Sequence, residues 1–399
     1  MSGSAAPTAG LTAERAPRRL RVALDVTAAA RQTAGVGRYT RELARALLRR
    51  GAADYVLVVT DRLGEGGWRR LDLDVDRRAV RASVLPARAH TLLWHRLRLP
   101  LPADALSGRV DVYHAPDFLS PPLARARSVV TVHDLSFLRV PDRADPGLRQ
   151  HLAARVPRAV RDAAHVLADS ENSRRDVIEL LGVHPERVTV AYPGVGAAMA
   201  EPVDPGRRAA TLARLGLPGP FVLGVGTIEP RKDWPTLIAA FERLAGQTHH
   251  DPPLSLVIAG ADGWMTGPVH AAAEATPADV RLLGFVPDDE LRVLYQAAAA
   301  FAFPSVYEGF GLPPLEAMAC GVPTVVADAP CLPEVVGDAA LTTPVGDADA
   351  LAATLRRLLV DDGLRAELAL RGPRRAARYT WDDCAAAAEA AYEAAAARS

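Results

Sequence analysis

The chain has 399 residues, of which 49% are hydrophobic and 24% charged. This is globular composition, long enough for two domains of about 200 residues each, and it excludes a disordered chain or a small stapled scaffold. The formal charge is zero, with 47 Lys+Arg against 47 Asp+Glu, but residues 1–200 hold 31 Arg and 21 acids (+10) while residues 201–399 hold 15 Arg, one Lys and 26 acids (−10).

Residues 1–18 have no apolar core and read as a loose tail rather than a signal peptide. Short Val/Leu/Ile-rich runs then alternate with helix-period segments. The predicted strands of the first half are Leu20–Val26, Tyr55–Thr60, Val110–Tyr113, Val129–His133, His165–Ala168 and Val188–Tyr192. Those of the second half are Phe221–Val225, Leu254–Ala259, Val280–Leu283, Phe301–Phe303 and Thr324–Ala327. None alternates cleanly, as expected of parallel strands buried on both faces. Helices are predicted at Arg38–Arg50, Ser173–Leu181, Trp234–Leu244, Asp288–Ala299 and Pro314–Cys320. The pattern predicts an α/β chain of two Rossmann-like, doubly wound domains facing a central cleft. The domains are placed at 19–200 and 220–375, with a Pro/Gly-rich linker at 201–219 and a final helical segment at 376–399 that could pack back on the first domain. Breaks in the helical tail are expected at Asp361–Gly363, Arg371–Pro373 and Thr380.

Ligands of such sheets bind at the carboxyl ends of the strands, so the strand-to-helix loops carry the chemistry. The first loop ends Gly35-Val36-Gly37-Arg38-Tyr39-Thr40. Its glycines suit close approach to an anion, while Thr40 stands where a dinucleotide fingerprint needs a third Gly. His133 closes the strand Val129–His133, where it could hydrogen-bond a substrate, and His114 and Asp117 hold an analogous place. The loop from Gly226 carries Arg231 and Lys232, the sole lysine of the chain, ahead of a helix whose dipole two cations should oppose. A bound diphosphate would offset that cost. The loop Glu308-Gly309-Phe310-Gly311-Leu312-Pro313-Pro314-Leu315-Glu316 joins a glycine-rich nest to two carboxylates suited to polyol hydroxyls. Phe285-Val286 could hold a flat base, with Asp288, Asp289 and Glu290 capping the helix that follows. The run Asp72–Asp76 resembles a metal site but lies among arginines and reads as a solvated loop, and His249–His250 have no partner ligands. Arg38, Arg41, Arg45 and Arg49 share one helical face, either a solvated stripe or a contact for an anionic membrane. Cys320, Cys331 and Cys384 are an odd count without metal spacing, which reads as reduced thiols in the cytoplasm.

Taken together, Glu308 and Glu316 with seven residues between them, Arg231-Lys232 and His133 resemble the GT-B-fold retaining glycosyltransferases of the glycogen-synthase-like family four, over about residues 20–380. Glu229-Pro230-Arg231-Lys232 and Thr131-Val132-His133-Asp134 are most similar to its mannosyltransferase-like branch, although Asp233 replaces the Asn common there. The resemblance implies a nucleotide-sugar donor held by the second domain. Arg231 and Lys232 would neutralise the diphosphate, and Glu308 would bind the hexose with the N–H groups of Phe310 and Gly311. Glu316 would hold the ribose and Val286 would touch the base, with Gly226 and Leu312 in the donor loops. His133 would reach the donor sugar and Gly37 the phosphate or acceptor. His114, Asp117 and Arg38 are the acceptor-side candidates. The expected reaction moves a hexose, mannose from GDP-mannose in the first instance, to a hydroxyl of a glycan, glycolipid or small molecule, without a metal or a nucleic-acid partner. UDP-glucose and UDP-N-acetylglucosamine are the competing donors, a sugar-nucleotide epimerase the competing enzyme, and an NAD oxidoreductase the alternative outside transferases. A cytoplasmic enzyme, peripheral on the inner membrane face, is the expected setting.

Overall fold

A computed structural model describes residues 18–33, 35–96, 102–245 and 253–398. The expected tail up to residue 17 and His249–His250 lie outside the described residues. The first domain is built on seven strands: β1 (Arg21–Asp25), β2 (Asp54–Val59), β3 (Val80–Ala82), β4 (Val112–Ala115), β5 (Arg127–Val132), β6 (His165–Ala168) and β7 (Val188–Val190). The second has six: β8 (Phe221–Val225), β9 (Ser255–Ala259), β10 (Val280–Gly284), β11 (Ala300–Phe303), β12 (Thr324–Ala327) and β13 (Leu341–Thr343). Every pairing is parallel. The orders are β3-β2-β1-β4-β5-β6-β7 and β10-β9-β8-β11-β12-β13, so strand direction of travel reverses beside β1 in one sheet and β8 in the other. Crevices for ligands open at those two switch points, outside the carboxyl ends of the strands.

Helices on both faces bury β4, β6, β8, β9, β11 and β12 along their whole length. This is why their sequences read as unbroken apolar runs. Two edge strands of three residues, β3 and β13, escape the sequence reading because they are short and partly exposed. The segment expected to be a linker holds a helix, Pro205–Arg214, started by the Asp204 carboxylate accepting from the Arg207 N–H. Leu212, Leu215 and Leu217 pack it onto the second domain. The break expected at Arg371–Pro373 is absent: the helix Asp362–Ala376 runs through Pro373.

The last helix, Trp381–Ala396, returns to the first domain, and Trp381, Cys384, Ala388 and Tyr392 join the core formed by β1 and the helix Val36–Arg50. Tyr392 corrects one sequence expectation. Its hydroxyl lies 2.8 Å from His114 Nδ1, and the Thr131 hydroxyl lies 2.9 Å from Nε2. His114 is fully buried, and burial, with the His133 charge adding to it, pushes its imidazole down to about 3. It is a neutral core histidine and no acceptor ligand, because it lies within β4 and points inward. Replacing Tyr392 by Phe would leave a buried ring nitrogen without a partner. Denaturant unfolding should then show a loss of about 1–3 kcal/mol, with turnover unchanged; a fall in turnover at full stability would contradict the structural role.

Candidate active site

The loop after β8 does not run directly into its helix. It makes one tight turn, Pro230–Lys232, and Asp233 then adopts a left-handed conformation (φ 52°) before the helix Trp234–Ala245. Asp tolerates that conformation much as Asn does. Arg231 and Lys232 therefore project before the helix rather than from its first turn, and the expected conflict with the helix dipole does not arise. What offsets their charge is protein. Glu308 accepts from Lys232 Nζ at 2.7 Å through Oε1 and from Arg231 Nη1 at 2.8 Å through Oε2. Glu229 takes Arg231 Nη2 at 2.6 Å, and the Ser305 hydroxyl also donates to Glu308 Oε1. Lys232 Nζ further lies 4.7 Å from the centroid of the Phe303 ring, a cation–π contact.

These groups are buried, so the balance of charges decides their protonation. Burial alone would raise the Glu308 carboxyl, but Arg231 and Lys232 outweigh it and hold it at about 2. Burial likewise opposes charge on Arg231, and Glu308 and Glu229 overturn it and strengthen its hold on the proton. Two cations thus face two carboxylates in a neutral cluster at the carboxyl end of the β8–β11 sheet.

The first domain closes over this cluster. Gly309 packs so tightly on the His133 carbonyl that a Cβ would come within 2.0 Å of its oxygen. The Ser170 and Ser173 hydroxyls donate to the Gly309 carbonyl at 2.6 and 3.1 Å. Tyr307 donates to Asp176 Oδ2 at 2.5 Å, and Glu334 accepts the N–H groups of Glu171 and Asn172 at the start of the helix Glu171–Leu181. On the other side of the cluster, Arg143 donates to the Pro230 carbonyl at 2.8 Å, and the Trp264 indole donates to the Arg143 carbonyl at 3.1 Å. At the far end Arg38 crosses the cleft to Glu316 Oε1 at 2.7 Å, while Tyr295 donates to Oε2 at 3.0 Å. Burial raises the Glu316 carboxyl, and Arg38 pulls it back.

His133 stands one residue beyond β5 with Asp169, one residue beyond β6, 2.8 Å from its Nδ1. Nε2 donates to the Pro116 carbonyl at 2.9 Å. Burial alone would lower the imidazole; Asp169 outweighs it, and the group is pushed up to about 9. His133 is therefore a doubly donating imidazolium. Tyr39 packs edge-on against it at 4.7 Å, and Asp169 Oδ1 is buried without a hydrogen-bond partner among the described residues.

Known proteins match this arrangement. Residues 33–198 match the model of Glycosyltransferase Family 4, and residues 214–375 match that of Glycosyl transferases group 1. O-antigen chain mannosyltransferase B of Escherichia coli is 33% identical over 76% of this chain and 79% of its own. A D-inositol 3-phosphate glycosyltransferase of Acidothermus cellulolyticus is 31% identical over 82% of each chain. The chain belongs to the family-four glycosyltransferases, mannosyltransferase-like and of GT-B fold. A sucrose-phosphate synthase from Thermosynechococcus elongatus superposes with a TM-score of 0.73 at 21% identity over 94% of this chain and 98% of its own. Anabaena HepE, solved in complex with UDP and glucose, superposes with 0.70 at 19% over 93% and 98%.

In this glycosyltransferase the structure brings His133, Arg231, Lys232, Glu308, Phe310, Gly311 and Glu316 to one cleft. Gly226 follows β8 directly and lies beside the Lys232 stem, and Val286 is buried next to exposed Phe285. Leu312 opens the helix Leu312–Ala319, and the N–H groups of Phe310 and Gly311 donate to no protein acceptor among the described residues. Gly37 has a reason to be glycine within the protein itself, since a Cβ there would come within 2.3 Å of the Gln32 carbonyl oxygen. Arg38 is a partner of Glu316 and not an acceptor ligand. The stripe it was to begin is no free face: Arg41 is buried and donates to the Ala29, Gln32 and Arg70 carbonyls, and Arg45 binds Glu42 and Asp72. Asp72–Asp76 is not a metal site, since Asp72 holds Arg45 and Asp76 accepts from the Arg78 N–H. The Asp117 side chain reaches solvent at the cleft rim, yet the protein packed around its carboxyl removes enough water to raise it, against the pull of His133 and Arg31.

The sequence reading missed Asp169. Asp169 was findable as an acid placed like His133, one residue past the neighbouring strand. The raised imidazole gives a pH signature. Its ion pair stabilises the fold fully below about 6.5 and is lost as pH rises through about 9. The difference in unfolding free energy between the wild type and His133→Gln should therefore shrink across that window; a difference independent of pH would contradict the charged pair.

Proposed function

We propose that this glycosyltransferase moves mannose from GDP-mannose to an acceptor hydroxyl with retention of anomeric configuration. The observation that carries it is the buried Arg231–Lys232–Glu308 cluster, held at strand ends in a cleft closed by His133. Departure of a nucleoside diphosphate builds negative charge on the β-phosphate, and preorganised cations and N–H donors are what stabilise it. Phe310 and Gly311 supply such donors beside Arg231 and Lys232. The bond from the sugar C1 to the phosphate oxygen breaks, the acceptor oxygen bonds to C1 on the same face, and its proton goes to the departing phosphate. Glu308 suits no nucleophile role, because cations occupy both of its oxygens. Asp117, free at the rim beside His133, is the acceptor anchor.

Asp288 supports guanine. Of the three acids opening the helix Asp288–Ala297, Asp289 pairs with Arg207 and Glu290 with Arg214. Asp288 keeps no side-chain partner among the described residues and lies within electrostatic reach of Arg38 and Glu316. A carboxylate accepts two hydrogen bonds from the N–H donors of guanine, where uracil offers only one. The mannosyltransferase relatives point the same way.

Turnover assayed with GDP-mannose, UDP-glucose and UDP-N-acetylglucosamine should favour GDP-mannose, and Lys232→Ala should lower kcat by about 10²–10³-fold. Near-normal turnover in that variant would overturn the diphosphate role. Asp288→Asn should raise the KM for GDP-mannose and leave kcat intact; an unchanged KM would remove the guanine argument.

A further inference from the structure

Arg38 sits where its own helix disfavours it. It is the third residue of the helix Val36–Arg50, inside the first turn, whose free N–H groups repel a cation. Two other arginines of this face are held within the first domain, Arg41 by backbone carbonyls and Arg45 by Glu42 and Asp72. Arg38 instead leaves its domain, and its Nη1 meets Glu316 Oε1 at 2.7 Å.

The pair is nearly dry. The Glu316 side chain is 3% exposed and that of Arg38 20%. Tyr295 donates to Oε2 at 3.0 Å, and Oε1 has no side-chain partner but Arg38 among the described residues. If Arg38 moves away, a buried carboxylate oxygen is left in need of a donor, which is costly unless a ligand supplies one. Glu316 first, and Asp288 behind it, strengthen the hold of Arg38 on its proton against burial. One guanidinium therefore faces both carboxylates that the proposed nucleoside contacts use.

Guanidinium and ribose offer Glu316 the same thing. The first presents a planar fork of N–H donors to a carboxylate, and the second presents two neighbouring O–H donors. Arg38 fills the place on Oε1 that a ribose hydroxyl would take. It makes no contact with Arg231, Lys232 or Glu308 among the described residues, so its competition is with the nucleoside and not with the diphosphate.

We infer that Arg38 is an internal competitor for the nucleoside, which occupies Glu316 in the empty enzyme, lowers the affinity for a nucleoside diphosphate and speeds release of that product by reclaiming the carboxylate. This role rests on Glu316 being the ribose ligand, as proposed above, and on neither the base nor the sugar. A nucleoside diphosphate product keeps the nucleoside and phosphate contacts of the donor. A site preorganised for those contacts would hold its product, and a resident arginine counters that. Such an arginine differs from a binding one in the sign of its effect: its removal tightens binding.

Calorimetric titration of the full-length wild type, Arg38→Met and Arg38→Gln with GDP, UDP and their 2′,3′-dideoxy forms tests this. If Arg38 is off Glu316 in about one molecule in ten, either variant should bind the diphosphate that the wild type takes about tenfold more tightly. Inhibition by that product should strengthen by the same factor. The dideoxy forms should bind wild type and variants alike, because they leave Glu316 to Arg38 and gain nothing when it is gone. Equal or weaker binding of the diphosphate by both variants would overturn the competitor, and so would an equal gain for the dideoxy form, which would mark a general loosening of the cleft. Adding Glu316→Ala to Arg38→Met should weaken the diphosphate again. If it does so without a prior gain, the ribose contact stands and the competitor falls; if it changes nothing, or no chain binds either diphosphate, the ribose contact falls and the competitor with it.

Discussion

Glu308 is a buried carboxylate with one cation on each oxygen, and much of the cleft is arranged to keep it so. An ion pair withdrawn from water loses its hydration, so burying it is tolerable only when geometry and extra hydrogen bonds make up the loss. Here Glu229, Ser305 and the Tyr307 carbonyl complete the set around Arg231 and Glu308. The result is a site that is neutral without ligand and still holds two cations in fixed positions. A diphosphate entering there would find both cations already oriented and would compete for them with Glu308 and Glu229.

The same economy shapes the closure of the two domains. Gly309 lets the donor loop lie on the His133 backbone, and the Ser170 and Ser173 hydroxyls fasten it there. Arg143 clasps the turn that presents Arg231 and Lys232. Arg38 occupies Glu316, so any ligand that binds this carboxylate would have to displace it. The first domain thus touches each of these loops of the second, and closure and the geometry of the cluster are one problem.

Much of this was legible in the sequence for a simple reason. Strands buried on both faces must be apolar throughout, so β6, β8 and β12 were found to the residue, while three-residue edges such as β3 carry too few positions to show a pattern. Loop chemistry at strand ends was legible wherever the residue type was unusual, as with Lys232. Two things were not. A helical wheel places Arg38, Arg41 and Arg45 together but cannot show Glu316, the Ala29 carbonyl or Asp72 opposite them. Nor does an approximate strand boundary separate His114, inside β4, from His133, one residue past β5, although that step turns a neutral core residue into a cleft imidazolium.

On the proposed reading, Glu308 holds in place, and shares, the two cations that a diphosphate would engage. Calorimetric titration of GDP into the wild type and into Glu308→Gln tests it most directly. Removing the carboxylate's charge should free Arg231 and Lys232 for the phosphates, so GDP should bind the variant more tightly than the wild type. Equal or weaker binding of GDP by the variant would contradict it.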